Sequence, residues 1–418
     1  MTLHVIERKI REVLVPTWID AWFVRRNRLG ASPRCAAATA EIRRIYIDVS
    51  VVARHDAGTG IQRVVRAVAS KLLGQSIPHL TVCPVGATRK RPYYEIEWPD
   101  APRASTGGSA IRGGPGEVFL GLDLALDSVR NHRKQLAAFR RRGGVIWFVV
   151  YDLLPDEHPE WFSPKVVARY RGWLRLVACL ADGVLCISPF VAVQFKKRVE
   201  LLYGLRDGID VQVIPMGSDV EASIPTRGRP QGFDGVVSQI RLRPSALIVG
   251  TLEPRKAHQV VLEAFEALWG RGIKLHLVIV GRPGWQTEQL QARIRTHEAR
   301  GDCLFWFDNA SDDVLAALYG TCSGVIVASL AEGFGLPLIE ALQHGKLVLA
   351  RDIPVFRMHG DPRITFFPRE ISAEQLSEQI ESWLLTSREL TQPGTREHAT
   401  WADTSAAILQ SIGRNRGI

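Results

Sequence analysis

The chain has 418 residues, of which 46% are hydrophobic and 23% charged, a balance typical of a globular protein with a large core. Its length predicts two domains, and because no apolar run approaches about 20 residues, no transmembrane helix is expected. The net charge of +10 favours phosphate-bearing small molecules or an anionic membrane face as partners. Nucleic acid ranks last, because the chain has no RNA-binding signature, zinc-finger spacing or long Lys/Arg block.

The cysteines form no Cys-x-x-Cys pair and no Cys/His cluster, so reduced, buried thiols are predicted. The first 30 residues lack a clean apolar segment, so no signal peptide is expected. Together these features predict a cytoplasmic protein. The cysteines are Cys35, Cys83, Cys179, Cys186, Cys303 and Cys322.

Residues 1–40 form a basic and aromatic extension, in which Trp18 and Trp22 lie among several arginines. Tryptophan beside arginine is typical of a membrane interface, which makes the inner face of the plasma membrane a candidate partner. Pro16 interrupts any single long helix. A helix that packs on the following domain is the alternative interpretation.

Residues 41–230 predict a first α/β domain, which opens with a strand over 44–49. Gly58-Thr59-Gly60 then leads into an amphipathic helix that ends near Leu73. A strand, a glycine turn and a helix can present amides to a phosphate at Gly60, although a simple tight turn explains the pattern equally well. Residues 86–116 are polar and Gly-rich, which predicts a long loop or lid.

A polar cluster follows the predicted strand that ends at Tyr151. Asp152 comes directly after this strand, and His158 lies in the segment behind it. Because open α/β sheets bind ligands at the carboxyl ends of their strands, Asp152 is the stronger candidate for a functional residue. A lone histidine such as His158 is more often structural.

Residues 218–244 lose periodicity and contain several prolines and glycines, which predicts an interdomain linker. Residues 245–390 then alternate strands and helices, which predicts a second doubly wound parallel domain. Arg255 and Lys256 follow its first strand, where two adjacent cations suit a diphosphate. An exposed surface pair is the alternative.

The unit over residues 324–350 reads as a strand, a Gly-rich turn, a helix that Pro337 can open, and another strand. Glu332 lies in the turn and Glu340 lies in the helix. Gly335 lets the backbone approach a ligand, and the first amides of the helix favour an anion. Alternatively, Glu332 caps the helix and Glu340 is a solvated helix residue.

Three segments resemble the donor-binding half of retaining GT-B glycosyltransferases of family 4: residues 250–256, residues 277–281 with Trp285, and residues 332–340 with the Glu-x7-Glu spacing. Two N-terminal segments, residues 58–63 and 151–160, resemble a subgroup that builds bacterial surface polysaccharides and O-antigens, often as mannosyltransferases. The resemblance implies two Rossmann-like domains that face each other across a cleft. It also implies that a last helix, within 391–418, crosses back to the first domain.

The resemblance implies roles for single residues. Arg255 and Lys256 would neutralise the donor diphosphate, and Glu332 would hold the transferred sugar. Phe334, Gly335 and Leu336 would offer backbone amides, Glu340 would bind the ribose, and Gly250 and Gly60 would line the donor site. Asp152 would lie on the acceptor side.

The expected function is transfer of a hexose, with mannose from GDP-mannose as the first guess, to a lipid-linked or growing bacterial surface glycan. No cofactor is expected beyond the nucleotide diphosphate sugar. No metal is expected either, since two cations can serve the diphosphate and the chain contains no Asp-x-Asp. The alternatives are a non-catalytic nucleotide-sugar-binding protein and an epimerase-like or phosphorylase-like enzyme on the same scaffold.

Overall fold

The computed structural model describes residues 20–22, 24–26, 28, 40–56, 58–99, 108–218, 227–386 and 399–414. The chain divides into two compact units. The first comprises residues 1–157, 164–216 and 401–418, and the second comprises residues 158–163 and 217–400. Each unit is built on one sheet flanked by helices, in agreement with the predicted α/β class.

The first unit contains a seven-stranded sheet of order β3-β2-β1-β4-β5-β6-β7. Its strands pair in parallel, except that β3 is antiparallel to β2. Buried residues fill the interior strand β5 along its whole length, as expected for a strand covered on both faces. The strands are β1 Arg44–Asp48, β2 Thr81–Gly86, β3 Tyr94–Glu95, β4 Glu117–Gly121, β5 Val145–Val150, β6 Gly183–Cys186 and β7 Asp210–Val213.

Helices connect these strands, and the predicted helix that ends near Leu73 is among them. They are α1 Gly60–Leu73, α2 Leu126–Asn131, α3 Arg133–Arg141, α4 Leu154–Glu157, α5 Pro164–Leu180 and α6 Pro189–Tyr203. Helix α6 has Ser188 as its N-cap and ends at Gly204, which adopts a left-handed conformation. The prediction of a long loop or lid over 86–116 was wrong in part, because the short strand β3 lies within it. Residues 100–107 lie outside the described part of the chain.

The second unit contains a six-stranded, fully parallel sheet of order β10-β9-β8-β11-β12-β13. The strands are β8 Ser245–Val249, β9 His276–Val280, β10 Leu304–Phe307, β11 Gly324–Val327, β12 Leu347–Arg351 and β13 Ile364–Phe367. The helices are α7 Phe233–Ile240, α8 His258–Gly270, α9 Glu288–Thr296, α10 Asp312–Thr321, α11 Leu336–Gln343, α12 Pro354–Arg357 and α13 Ala373–Thr386. Large apolar side chains such as Phe265 and Phe367 are fully buried between the sheet and its helices.

The predicted interdomain linker over residues 218–244 contains helix α7, and its residues 219–226 lie outside the described part of the chain. Phe233 packs edge-on against Phe307 of β10 with ring centroids 5.9 Å apart. The Ile240 carbonyl lies 3.1 Å from Nδ1 of His276. The segment joins the second unit through contacts distant in sequence, which its glycine-rich composition does not reveal.

The last helix, α14 Trp401–Gly413, belongs to the first unit and packs against α1. The described N-terminal residues are helical, and their arginines cap the ends of other helices. Arg25 donates to the Tyr203 carbonyl (3.0 Å), and Arg28 donates to the Ala178 carbonyl (2.7 Å). These contacts support the interpretation of this part of the extension as a helix packed on the domain, while Trp18 lies outside the described residues.

None of the described helices has the length and apolar character that crossing a bilayer requires.

Candidate active site

The cationic pair lies directly after the first strand of the second sheet. Strand β8 ends at Val249, and Pro254–Lys256 form a short 3-10 helix before α8 begins. Ala257, between the two helices, has a left-handed backbone with φ 54° and ψ 35°. This sharp turn places Arg255 and Lys256 at the carboxyl edge of the sheet, where open α/β sheets bind ligands.

Glu332 joins both cations in one cluster. Its Oε1 accepts a hydrogen bond from Nζ of Lys256, and its Oε2 lies 3.3 Å from Nη1 of Arg255. Arg255 also donates from Nε to Oε2 of Glu253 at 2.9 Å. Only 11% of the Glu332 side chain is exposed, so this is a mostly buried network. The sequence predicted that the cations and Glu332 share a site, but not that two carboxylates already compensate both cations.

The cations control the protonation of Glu332. Burial raises the pKa of its carboxyl, but Lys256 and Arg255 lower it more, so the pKa falls from 4.5 to about 2. A carboxyl that stays ionised while mostly buried is an acceptor for hydroxyl groups and a counter-ion for cations. It is not available as a general acid near neutral pH.

Two glycines bring the chain close beneath the cationic pair. Gly250 has φ 146°, a backbone conformation that L side chains rarely adopt, and Cε of Lys256 lies 3.3 Å from where a Cβ would stand. A Cβ on Gly281 would lie 1.8 Å from the Gly250 carbonyl oxygen, which leaves no room for any side chain. Gly250 was predicted as a site residue, whereas this packing role of Gly281 was not foreseen.

The Gly-rich turn is attached to the cationic segment through its backbone. The Leu330 amide donates to the Arg255 carbonyl at 2.8 Å. Gly335 has φ 93°, and a Cβ there would lie 2.7 Å from the Phe356 ring, so this position requires glycine. Nε2 of His359 lies 3.0 Å from the Phe334 carbonyl oxygen.

Helix α11 starts at Leu336 with Pro337 in its first turn, as the sequence predicted. The amides of Phe334, Gly335 and Leu336 find no acceptor among the described residues. Such amides at the start of a helix are suited to an anion. Their predicted contact with the donor stays a prediction.

Glu340 is buried, with 2% of the residue exposed, so the interpretation of it as a solvated helix residue was wrong. Its Oε2 accepts a hydrogen bond from the Tyr319 hydroxyl at 2.9 Å. The Tyr319 ring stacks on His344 with centroids 4.9 Å apart. Tyr319 was not among the predicted site residues, because its partner lies 21 positions away. Ribose binding by Glu340 stays a prediction.

His258, the first residue of α8, lies beside this cluster. It is buried, with 2% of the residue exposed. Burial and then the charge of Lys256 lower its pKa to about 3, so the imidazole is neutral. It therefore adds no positive charge to the compensated network.

The predicted site residues of the first unit have local partners. Gly60 is the exposed first residue of α1, which Thr59 and Gln62 cap reciprocally. Asp152 is half-buried, and its Oδ1 accepts from the Leu154 amide at 3.1 Å. The Tyr151 hydroxyl donates to the Leu122 carbonyl at 2.7 Å inside the unit. The roles of Gly60 and Asp152 at the donor and acceptor stay predictions.

Within the described residues, His, Cys, Asp and Glu side chains form no group of three or more that could hold a metal ion.

Comparison with known proteins finds a family match in the second unit. Residues 241–397 match the family model described as glycosyl transferases group 1. The whole chain is 32% identical over 400 residues to the serotype-specific mannosyltransferase WbdA of Escherichia coli, an alignment that covers 94% of this chain and 48% of WbdA. The chain therefore spans about half the length of the curated relatives it matches. A shorter match, 28% identical over 162 residues, covers 37% of this chain and 42% of the O-antigen chain mannosyltransferase B of Escherichia coli.

Solved structures agree with the fold of this chain. HepE of Anabaena, solved in complex with UDP and glucose, has a TM-score of 0.55 at 16% identity, covering 90% of this chain and 96% of HepE. WaaG, a glycosyltransferase involved in lipopolysaccharide biosynthesis, has a TM-score of 0.54 at 14% identity, covering 88% of this chain and 95% of WaaG. Two Rossmann-like units in one chain confirm the predicted GT-B fold class. The cleft between the units stays a prediction.

Proposed function

We propose that the chain is a retaining hexosyltransferase that needs no metal and moves a hexose from a nucleotide diphosphate sugar to a lipid-linked or growing bacterial surface glycan. The observation that carries the proposal is the network of Lys256, Arg255 and Glu332, which lies beside three free amides at the start of α11. The similarity to WbdA along 94% of the chain supports the surface-glycan acceptor and makes GDP-mannose the first donor to test.

The network suits a donor that carries a diphosphate. Lys256 and Arg255 are each held by a carboxylate, so a diphosphate would take over part of that counter-charge. In exchange, Glu332 would become free to accept hydrogen bonds from the hydroxyls of the transferred sugar. The two cations would then stabilise the charge that develops on the diphosphate as the glycosidic bond breaks.

Retention requires that the new bond form on the face of the sugar that the diphosphate leaves. The acceptor oxygen would bond to the anomeric carbon as the bond between that carbon and the β-phosphate oxygen breaks. The acceptor proton would pass to this departing oxygen. No protein base is needed for this step, which agrees with the low pKa of Glu332. Asp152 would contact the acceptor side.

The acceptor and the location of the enzyme follow from the same proposal. A lipid-linked glycan would bring the protein to the inner face of the plasma membrane from the cytoplasm. The positive net charge of the chain supports contact with an anionic surface. The described part of the N-terminal extension packs on the first unit through Arg25 and Arg28, so membrane contact would not depend on these two side chains.

The first experiment is a thermal-unfolding screen of nucleotide sugars, since a ligand that binds the folded state raises the melting temperature. We expect GDP-mannose to raise it more than UDP-glucose does. Transfer from that donor to a mannose-terminated acceptor should then give the α-anomer by NMR, and activity should survive EDTA. A β-linked product would contradict retention. Nucleotide release without glycoside formation would favour a binding protein or an enzyme that uses no glycan acceptor.

A further inference from the structure

A pocket of about 520 Å³ opens on the first unit, and none of the site residues discussed above lines it. Four of its lining residues each come after a different strand in the chain: Arg54 after β1, Arg89 after β2, Arg130 on α2 after β4, and Lys165 on α5 after β5. All four positions therefore lie at the carboxyl edge of the first sheet, the edge at which open α/β sheets bind ligands. A volume of this size accommodates a small phosphorylated sugar or a lipid headgroup.

The pocket carries a large excess of positive charge. Arg169 is a fifth cation in its lining, and Asp127 is its one carboxylate. Asp127 is already engaged, since its Oδ2 lies 2.8 Å from Nη2 of Arg169 and its Oδ1 lies 3.8 Å from Arg130. No acidic side chain among the described residues lies within ion-pair distance of Arg89 or Lys165.

Arg54 is fixed in place, because its Nε donates to the Ser50 carbonyl at 2.8 Å. The Ser50 amide is in turn bound by Asp48 at the end of β1. An arginine held through Nε still presents its terminal nitrogens, which can bind two oxygens of one phosphate.

We propose that this pocket binds the phosphate group of a second ligand, either a phosphorylated sugar or the headgroup of an anionic lipid. Cations gathered in a concave site repel one another and concentrate their field there, and a phosphate relieves that repulsion. That the ligand belongs to the glycan acceptor or to the membrane that carries it rests on the proposed function. The existence of the phosphate site does not.

The test compares two double variants with the same change of charge. Arg89→Gln with Lys165→Gln removes two uncompensated cations from the pocket. Arg141→Gln with Lys134→Gln removes two exposed cations of helix α3 in the same unit that do not line the pocket. All four side chains are exposed, so both variants should fold, and circular dichroism checks that they do.

Binding of inorganic pyrophosphate is measured by calorimetry in a Lys256→Gln background, which weakens the predicted diphosphate site of the second unit. We expect the pocket variant to lose about tenfold or more in affinity, as the loss of charge-assisted hydrogen bonds implies. The control variant should stay within about twofold, as expected for exposed charges outside the pocket. Equal losses in both variants would show that only the overall charge acts and would overturn the proposal, as would the absence of binding.

Two further probes separate the sources of the phosphate. One is a hexose 6-phosphate, and the other is vesicles of phosphatidylcholine with or without phosphatidylglycerol. Pocket-dependent binding of the sugar phosphate, or of only the anionic vesicles, supports the site and identifies its ligand. If the pocket variant binds both probes as tightly as the control variant does, the proposal is contradicted. Because these measurements detect binding and not transfer, they succeed or fail independently of the glycosyltransferase assay.

Discussion

Glu332 of the second unit, which is mostly buried, and Asp48 of the first, which is fully buried, both lie at the carboxyl edge of a sheet, yet their pKa values move in opposite directions. The pKa of Asp48 rises to about 7 because burial and then the nearby Asp123 disfavour its charge. The neutral donors Ser50 and Tyr93 offset this only in part. The pKa of Glu332 falls to about 2, because Lys256 and Arg255 outweigh burial.

The two clusters differ in the charge of the groups that contact the carboxylate. Hydrogen bonds from neutral donors leave the pKa of a buried carboxyl raised, whereas a pair of cations keeps the carboxylate ionised at every physiological pH. A cluster of ionised groups of both signs can exchange its internal partners for a charged ligand. Among the described residues, no cation is bonded to Asp48, whose carboxylate instead accepts hydrogen bonds from Ser50 and Tyr93.

The largest expected effect on stability comes from Glu332→Gln. This change removes the shared counter-charge of Lys256 and Arg255, which should cost about 3 kcal/mol of unfolding free energy near neutral pH. Because the folded pKa of Glu332 lies below its unfolded value of 4.5, the stabilisation is present above 4.5 and declines as pH falls toward 2.

Urea unfolding at about pH 7 and about pH 4 measures this effect. The gap between wild type and Glu332→Gln should be smaller at the lower pH. Glu370→Gln, at an exposed position of the same unit, should leave the unfolding curve unchanged at both. A gap that widens on acidification would contradict the assigned pairing.

Gly281→Ala tests the geometry beneath the cations without changing a charge. Its Cβ would collide with the Gly250 carbonyl, so the backbone that supports Lys256 must move, at a cost of about 2–3 kcal/mol. Gly270→Ala is the matched control, since a Cβ there meets nothing within 4 Å. It should be neutral or slightly stabilising. Equal melting temperatures for the two variants would show that the close approach is not required.

Asp48→Asn should show the opposite pH dependence to Glu332→Gln. The folded pKa of Asp48 is raised, so its stabilising contribution is present below the unfolded value of 3.8 and is lost as pH rises through about 7. Relative to wild type, the variant should therefore gain about 2–3 kcal/mol between about pH 5 and pH 8, since each pH unit between the two pKa values is worth about 1.4 kcal/mol. Melting temperatures at the two pH values measure the gain, and a constant difference would mean that Asp48 does not titrate in this range.

The smallest expected effect is that of Ala257→Gly. Ala257 has φ 54°, and glycine adopts this conformation without the steric cost that alanine incurs. The variant should be more stable by about 0.5–1 kcal/mol, with Lys256 held as before. Chemical denaturation measures the change, and a loss of stability would show that packing of the Ala257 methyl outweighs backbone strain.

The sequence was sufficient to predict most strands and helices of both units, because apolar periodicity and Gly/Pro boundaries mark them locally. The sequence also predicted that Arg255, Lys256 and Glu332 lie at one edge of the second sheet, because all three follow strands of that parallel sheet. Features that depend on distant partners were missed. The antiparallel β3 pairs with β2 inside a Gly-rich segment, and helix α7 is stabilised by packing on β10.

The same limit applies to the site. Tyr319 behind Glu340 carries no signal in its own neighbourhood of the sequence, and the segment that ends in Gly281 gives no sign of its packing against Gly250. Compensation of the cations by Glu253 and Glu332 was equally hidden, because ion pairing depends on side-chain directions that periodicity does not encode.

We propose that Lys256 stabilises the charge on a diphosphate leaving group. The rate of sugar transfer by the Lys256→Ala variant tests this role most directly. Lys274→Ala, an exposed lysine of the same unit, is the control. With the donor found in the screen, we expect Lys256→Ala to lower kcat by about 10²–10³, the effect of removing one electrostatic contact in a transition state. Lys274→Ala should retain wild-type kcat, and folded Lys256→Ala with wild-type kcat would contradict the account.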